Sequence, residues 1–165
     1  MTVTTGAGAA QRELEDVVST FRARAFVGRD LSAIDECLTD DFADHFAPPD
    51  DPPGKDGVRR RFAQAADGFH TTAVEIVHSM SQGDVLMQAI RIHMKHTGPF
   101  MGVPATGREF WIGGFDAFEI RDGRIAAHWG AYDAAKIPDL LGLTPPPDSP
   151  EEANSWSSMW NSTSE

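Results

Sequence analysis

Apolar residues recur with a helical period from about Gln11 to Val27, where Leu14, Val17, Val18, Phe21 and Ala25 share one face. Asp30 is a predicted N-cap for a second short helix through Leu38. Asp40 to His45 then leads into Pro48-Pro49-Asp50-Asp51-Pro52-Pro53-Gly54, where missing amide donors and fixed φ angles permit only loop. A third helix is predicted from about Asp56 to Ala66, with Val58, Phe62 and Ala65 or Ala66 inward. After Gly68 the period changes to two. Strands are predicted near 71–80, 84–97, 108–120 and 124–132, joined by Ser81-Gln82-Gly83, the Gly/Pro-rich 98–107 stretch and Arg121-Asp122-Gly123. Pro138 suits the first turn of a short closing helix within Ala134 to Leu141.

Three helices followed by a four-stranded meander cannot build a parallel α/β sheet, because the strand connections are too short. The expectation is an α+β fold: a cone-shaped half-barrel with three N-terminal helices packed on a curved antiparallel sheet, and a pocket between sheet and helices. A flexible leader (1–10) precedes the domain (11–143), and residues 144–165 read as a loose polar C-terminal tail. Within that tail Trp156 and Trp160 have the four-residue spacing with which a helical turn docks.

Strand parity sorts the polar residues. On 84–97 the even positions are Leu86, Gln88, Ile90, Ile92, Met94 and His96, so Gln88 and His96 go inward with the apolar set. His93 and His96 then fall on opposite faces, against a metal pair. On 108–120 the even face is Phe110, Ile112, Gly114, Asp116, Phe118 and Ile120, with one carboxylate among apolar neighbours. An inward Asp116 needs a hydrogen-bonding partner or a task. The 121–123 turn leaves two registers open: a two-residue loop sets Asp116 against Trp129, and a three-residue loop with a bulge sets it against His128. The second also puts Gly130 on the pocket face and Ile125, Ala127 and Trp129 on the other. His78 reads as a core histidine and His70 as exposed. Trp111 and Phe115, opposite Asp116, suggest a dimer interface or a covering helix. Arg59-Arg60-Arg61 reads as a solvated charge run.

Composition narrows the partners. The 25 acidic and 14 basic residues give a net charge of −11, which disfavours nucleic acid and anionic membrane. No apolar run approaches the roughly 18 residues needed to cross a bilayer, and the first residues carry no secretion signal, so a cytoplasmic protein is expected. The single cysteine, Cys37, rules out an intrachain disulfide and a multi-cysteine zinc site; its place on a helical apolar stripe predicts a buried thiol. No phosphate loop, dinucleotide fingerprint, nucleophile elbow or His-Glu-x-x-His is present.

Several segments resemble the SnoaL-like polyketide cyclase family, within the superfamily of nuclear transport factor two and ketosteroid isomerase. They are Asp41-Phe42-Ala43-Asp44-His45, Gly54-x-x-Gly57, the run from His96 to Arg108, Asp116 to Ile125, His128-Trp129 and Leu140-Leu141-Gly142-Leu143. The resemblance spans roughly residues 12 to 143 and favours the register with Asp116 beside His128. It implies an apolar small-molecule substrate, no metal or cofactor, and a homodimer or homotetramer. The family's namesake members close a polyketide ring by intramolecular aldol condensation, using a carboxylate near a His and an Asn. Carried over, the carboxylate falls on Gly130, the His on Asp116 and the Asn on Asp44, so all three positions differ. The expected catalytic set is therefore Asp116 with His128, helped by Asp44, His45 and Asp133. Substrate contacts are expected from His96, Gln88, Phe118, Tyr132 and Met94, with the 98–107 loop as cover. The first expected function is a cofactor-independent cyclase or isomerase of polyketide-type metabolism. An epoxide-opening hydrolase or ether-ring cyclase is the second, and a non-catalytic binding or assembly module the third.

Overall fold

The computed structural model describes residues 6–143; the tail from 144 onward, with Trp156 and Trp160, lies outside the described residues. Helix α1 (Gly6–Phe21) runs into a π-helical turn (Arg22–Val27), followed by α2 (Ser32–Cys37). The small residues Gly6 to Ala10 extend α1 ahead of the apolar stripe, where no burial signal marks them. The N-cap of α2 is Leu31 rather than Asp30, which stands one residue further out and accepts from the Ser32 amide at 3.1 Å. Strand β1 (Leu38–Asp44), helix α3 (Gly54–Gly68) and the strands β2 (Phe69–Gln82), β3 (Val85–His96), β4 (Glu109–Arg121) and β5 (Arg124–Tyr132) follow. A 3₁₀ turn (Ala134–Lys136) leads into α4 (Ile137–Leu141), which carries proline in its first turn and stops on left-handed Gly142.

The helices pack on a curved, open sheet in the order β1-β5-β4-β3-β2, the α+β half-barrel expected. The sheet is mixed, however, and has five strands. β1 pairs in parallel with β5 through Asp44 and His128, whereas the meander is antiparallel throughout. Parity hid β1, because Asp40 and Asp41 are exposed on an edge strand that buries only Leu38, Thr39 and Phe42.

Both expected registers for the last hairpin are corrected. The turn is two residues, with Asp122 (φ 52°) and Gly123 (φ 72°) both left-handed, and pairs Arg121 with Arg124. A bulge at Ala126 then shifts the pairing, so Asp116 faces Gly130 rather than Trp129 or His128. The bulge keeps Ile125 in the core beside Ile120 and still sends His128, Gly130 and Tyr132 to the Asp116 face. Register shifts in β2, at Thr71/Ala73 and Ile76/His78, turn His78 outward, correcting its core assignment.

Two apolar clusters flank the concave face. One joins Val18, Phe21, Ile34 and Val58 of the helices to Leu86, Phe118 and Ile125. The other joins Ile90, Ile92, Met94, Phe110 and Ile112 to Ile137 and Leu141. Among the described residues no helix is long and apolar enough to cross a membrane.

Candidate functional site

Between those clusters lies an apolar cavity of about 300 Å³, walled by Phe21, Phe26, Phe62, Ile92, Met94 and Phe118 among others. Its polar lining is confined to Arg22, Arg61, Asp116, His128 and Tyr132.

Two glycines let the polar groups meet. Gly130 stands opposite Asp116, and a Cβ there would lie 3.1 Å from His128 Nε2 and 3.2 Å from the Tyr132 ring. Gly114, opposite Tyr132, leaves that ring room to lie against the sheet. Both rings therefore reach across to one Asp116 oxygen: His128 Nε2 sits 3.2 Å from Oδ1, and the Tyr132 hydroxyl donates to the same atom. Arg22 donates to Oδ2 at 2.7 Å and to Gln88 Oε1 at 2.5 Å. On the far side of the imidazole, Asp44 Oδ1 lies 3.1 Å from His128 Nδ1 and accepts from the Phe46 amide at 3.0 Å. Arg61 donates to the other Asp44 oxygen and, at 2.6 Å, to Asp51, fastening the β1–α3 loop.

These contacts set the charges. An imidazole whose two nitrogens both face carboxylates must carry two protons, or a lone pair would oppose a carboxylate oxygen. Burial alone would push His128 below its ordinary value of 6.5, but hydrogen bonds to Asp116 and Asp44 outweigh it and hold the group above. Burial would likewise raise Asp116, yet the His128 bond, the Arg22 charge and the Tyr132 hydroxyl keep it below the usual carboxylate range. Asp44 also stays low, because His128, the Phe46 amide and Arg61 outweigh its burial. Tyr132 is pushed upward by burial and by the adjacent Asp116 charge. His128 and Asp116 line the cavity, whereas Asp44 is absent from its lining.

Of the residues expected from sequence, Asp116, His128, Asp44 and Tyr132 converge here, with Phe118 and Met94 in the wall. Gln88 is buried behind Arg22. Three others lie elsewhere. His45 stacks on Trp129, ring centroids 4.6 Å apart, away from the cavity lining. His96 is fully buried beside Phe69 and Phe100, and its Nδ1 accepts from the Thr106 amide at 3.2 Å. The 98–107 loop thus folds over His96 rather than over the cavity, because Thr97 and Gly98 tie it to Gly68. Asp133 pairs with Lys136 on the outer side. Among the described residues no cluster of three His, Cys, Asp or Glu is arranged to hold a metal ion.

Sequence reasoning missed both arginines. Arg61, read as solvated, is largely covered by Asp44 and Asp51. Arg22 falls four residues after Val18 and three before Ala25, on the buried stripe itself, and that spacing was the available signal.

The glycine geometry makes a direct prediction. Gly114→Ala drives a methyl into the Tyr132 ring and should cost about 1–3 kcal/mol, as overpacking does. Tyr132 is the one tyrosine of the chain, so its labelled NMR resonance should shift in the variant, and urea unfolding should give the stability loss.

The SnoaL-like polyketide cyclase family pattern matches residues 16–139. Among solved structures, TsrD from Streptomyces laurentii is 24% identical, with a TM-score of 0.69 over 81% of this chain and 98% of that one. AclR from Streptomyces galilaeus, described as a candidate hydroxylase, is 21% identical with a TM-score of 0.72, covering 92% and 94%. IdmH from Streptomyces antibioticus, described as a candidate polyketide cyclase, is 26% identical with a TM-score of 0.65, covering 78% and 98%. No curated protein sequence matches the chain.

Proposed function

Because the chain belongs to the SnoaL-like polyketide cyclase family, we propose that it is an acid/base enzyme acting on an apolar, enolisable ketone of the polyketide type. The observation that carries this reading is His128, held between two buried carboxylates on the wall of an apolar cavity.

Asp44 keeps the Nδ1 proton in place, so proton exchange with substrate falls to Nε2. In its neutral form His128 takes a proton from the carbon next to a carbonyl. That C–H bond breaks, an N–H bond forms, and the released electron pair moves through the new C=C bond onto the carbonyl oxygen. The enolate carbon then attacks a second carbonyl of the same molecule, and the new alkoxide takes the proton back from Nε2. Asp116 accepts three hydrogen bonds, which suits it to orienting and balancing His128 rather than to abstracting the proton itself. His45, His96 and Asp133 take no part in this scheme. The family carboxylate position, Gly130, is the gap through which His128 and Tyr132 reach Asp116.

A second reading, an epoxide-opening hydrolase or ether-ring cyclase, is favoured by the same imidazole in its protonated form, a ready acid for the epoxide oxygen. Met80, Met87, Phe115 and Trp129 are exposed along the outer sheet face, which supports the expected self-association as a dimer or tetramer. The test of function is turnover of enolisable polyketide-type diketones against matched epoxides, followed by mass spectrometry. Cyclised product of unchanged mass is expected from the ketones, and Asp116→Asn should remove it while the variant stays folded. Full turnover by Asp116→Asn would sink the proposed centre.

A further inference from the structure

Proton abstraction by His128 develops a negative charge on the substrate's carbonyl oxygen. In an apolar cavity that charge needs a donor already in place, since water cannot reorganise around it. Tyr132 spends its proton on Asp116, and His128 is the group exchanging a proton. Arg61 gives its two terminal nitrogens to Asp44 and Asp51.

Arg22 differs in its partners, not in their number. Each guanidinium has five N–H groups and makes two hydrogen bonds among the described residues, but Arg61 faces two carboxylates, whereas Arg22 faces one carboxylate, Asp116, and the neutral amide of Gln88. The residue is 8% exposed and lines the cavity. Its Nε has no protein partner, yet it is not among the enclosed side-chain atoms left unpartnered, which are Thr39 Oγ1 and His96 Nε2. The uncommitted donor edge therefore opens on accessible space. The backbone also departs from regularity here: the α-helix ends at Phe21 and the π-helical turn begins at Arg22. Such turns are rare and often mark functional positions. The guanidinium is locked on three sides, by Gln88, by Asp116 and by the Phe118 ring, whose centroid is 5.2 Å from Cζ. Gln88 is itself held by Ser79 at 3.2 Å, and Ser79 donates to Glu15 at 2.6 Å. A hydrogen-bonded line thus braces Arg22 from Glu15, in the middle of α1.

Charge balance gives the class of ligand. Arg22, Arg60 and Arg61 offset Asp44, Asp51 and Asp116, so the site is neutral when His128 is neutral. A neutral ketone enters without disturbing this balance. Proton transfer to neutral His128 then creates a cation and an oxyanion together, leaving the total unchanged. Resting on the acid/base reading above, we propose that Arg22 is a catalytic residue that binds the substrate's carbonyl oxygen and stabilises the enolate oxyanion. Asp116 tempers this by competing for the same guanidinium.

That competition supplies a test independent of substrate identity. The probes are naphthalene and a nitro-substituted 2-naphthol that is ionised at the assay pH, titrated into the full-length protein by fluorescence and calorimetry. The wild type should bind the naphtholate at least about tenfold more tightly than naphthalene, equivalent to about 1.4 kcal/mol. Arg22→Gln should lose that preference, read as the ratio of the two affinities in the variant. Asp116→Asn frees the guanidinium and should strengthen it. If Arg22→Gln is unfolded by circular dichroism, the charge-balanced Arg22→Gln/Asp116→Asn protein takes its place and should show no preference. Equal affinity of the wild type for the two probes, or a preference unmoved by removing Arg22, would overturn the inference while the acid/base reading stands. Binding of neither probe would overturn the apolar-cavity reading and the inference with it.

Discussion

Arg22→Met should destabilise the protein by about 3–5 kcal/mol, the range for removing one partner of a buried ion pair. Arg22 and Asp116 meet at 2.7 Å with side-chain exposures of 10% and 2%. Without the guanidinium, Asp116 remains enclosed among Phe118, Tyr132 and His128, and the Gln88 oxygen loses its charged donor. The cost comes from a buried Asp116 charge left with only His128 and Tyr132, not from lost packing, because methionine fills most of the vacated volume. Arg22→Met/Asp116→Leu should therefore regain at least half of the loss. The Tyr132 hydroxyl, deprived of its acceptor, keeps the recovery from being complete. Urea unfolding of the two single variants and the double variant gives the coupling energy directly. A double variant as unstable as the sum of the singles would show that the pair does not act as a unit.

His128→Gln should lower turnover of a ketone substrate by about 10²–10⁴-fold, the usual contribution of a positioned acid/base group, with much less change in KM. Glutamine can bridge Asp44 and Asp116 approximately but cannot exchange a proton. The pH profile separates the two chemistries. Because His128 is held above its ordinary 6.5, a step using it as base should rise with pH through that raised value, and epoxide opening with His128 as acid should fall across the same range. Stability carries the matching signature. The His128 contribution is fully present below 6.5 and lost as pH rises through the raised folded value. The Asp44 and Asp116 contributions are present above the ordinary 3.8 and lost as pH falls through their lowered folded values. The three groups together stabilise the fold most between 3.8 and 6.5, and thermal unfolding across pH should show the decline on both sides. In His128→Gln the alkaline decline should disappear. An unchanged pH–stability curve would mean that the imidazole is not charged between its carboxylates.

Local pattern determined a good deal about this molecule. Period-two alternation placed Asp116, Phe118 and Met94 inward and Trp111 and Phe115 outward, because a pleated strand has only two faces. The helical stripe from Leu14 to Ala25, the proline loop at 48–53 and the closing helix at Pro138 are equally local, set by side-chain period and backbone chemistry. Tertiary structure decided whatever depends on register or on distant partners. A single bulge at Ala126 chose Gly130 as the residue facing Asp116, and two residues of shift in β2 turned His78 outward. None of these three bulges has a signal stronger than a run of small or β-branched residues. β1 was hidden because an edge strand with two exposed aspartates does not alternate. Arg22 and Arg61 were hidden for a related reason: a charged residue on a helix is expected in solvent until its counter-charge is known. Asp116 lies 94 positions from Arg22, and Asp44 lies 17 from Arg61. The sequence alone therefore located the pocket carboxylate, whereas only the fold could show that a guanidinium, an imidazole and a tyrosine hydroxyl keep it ionised.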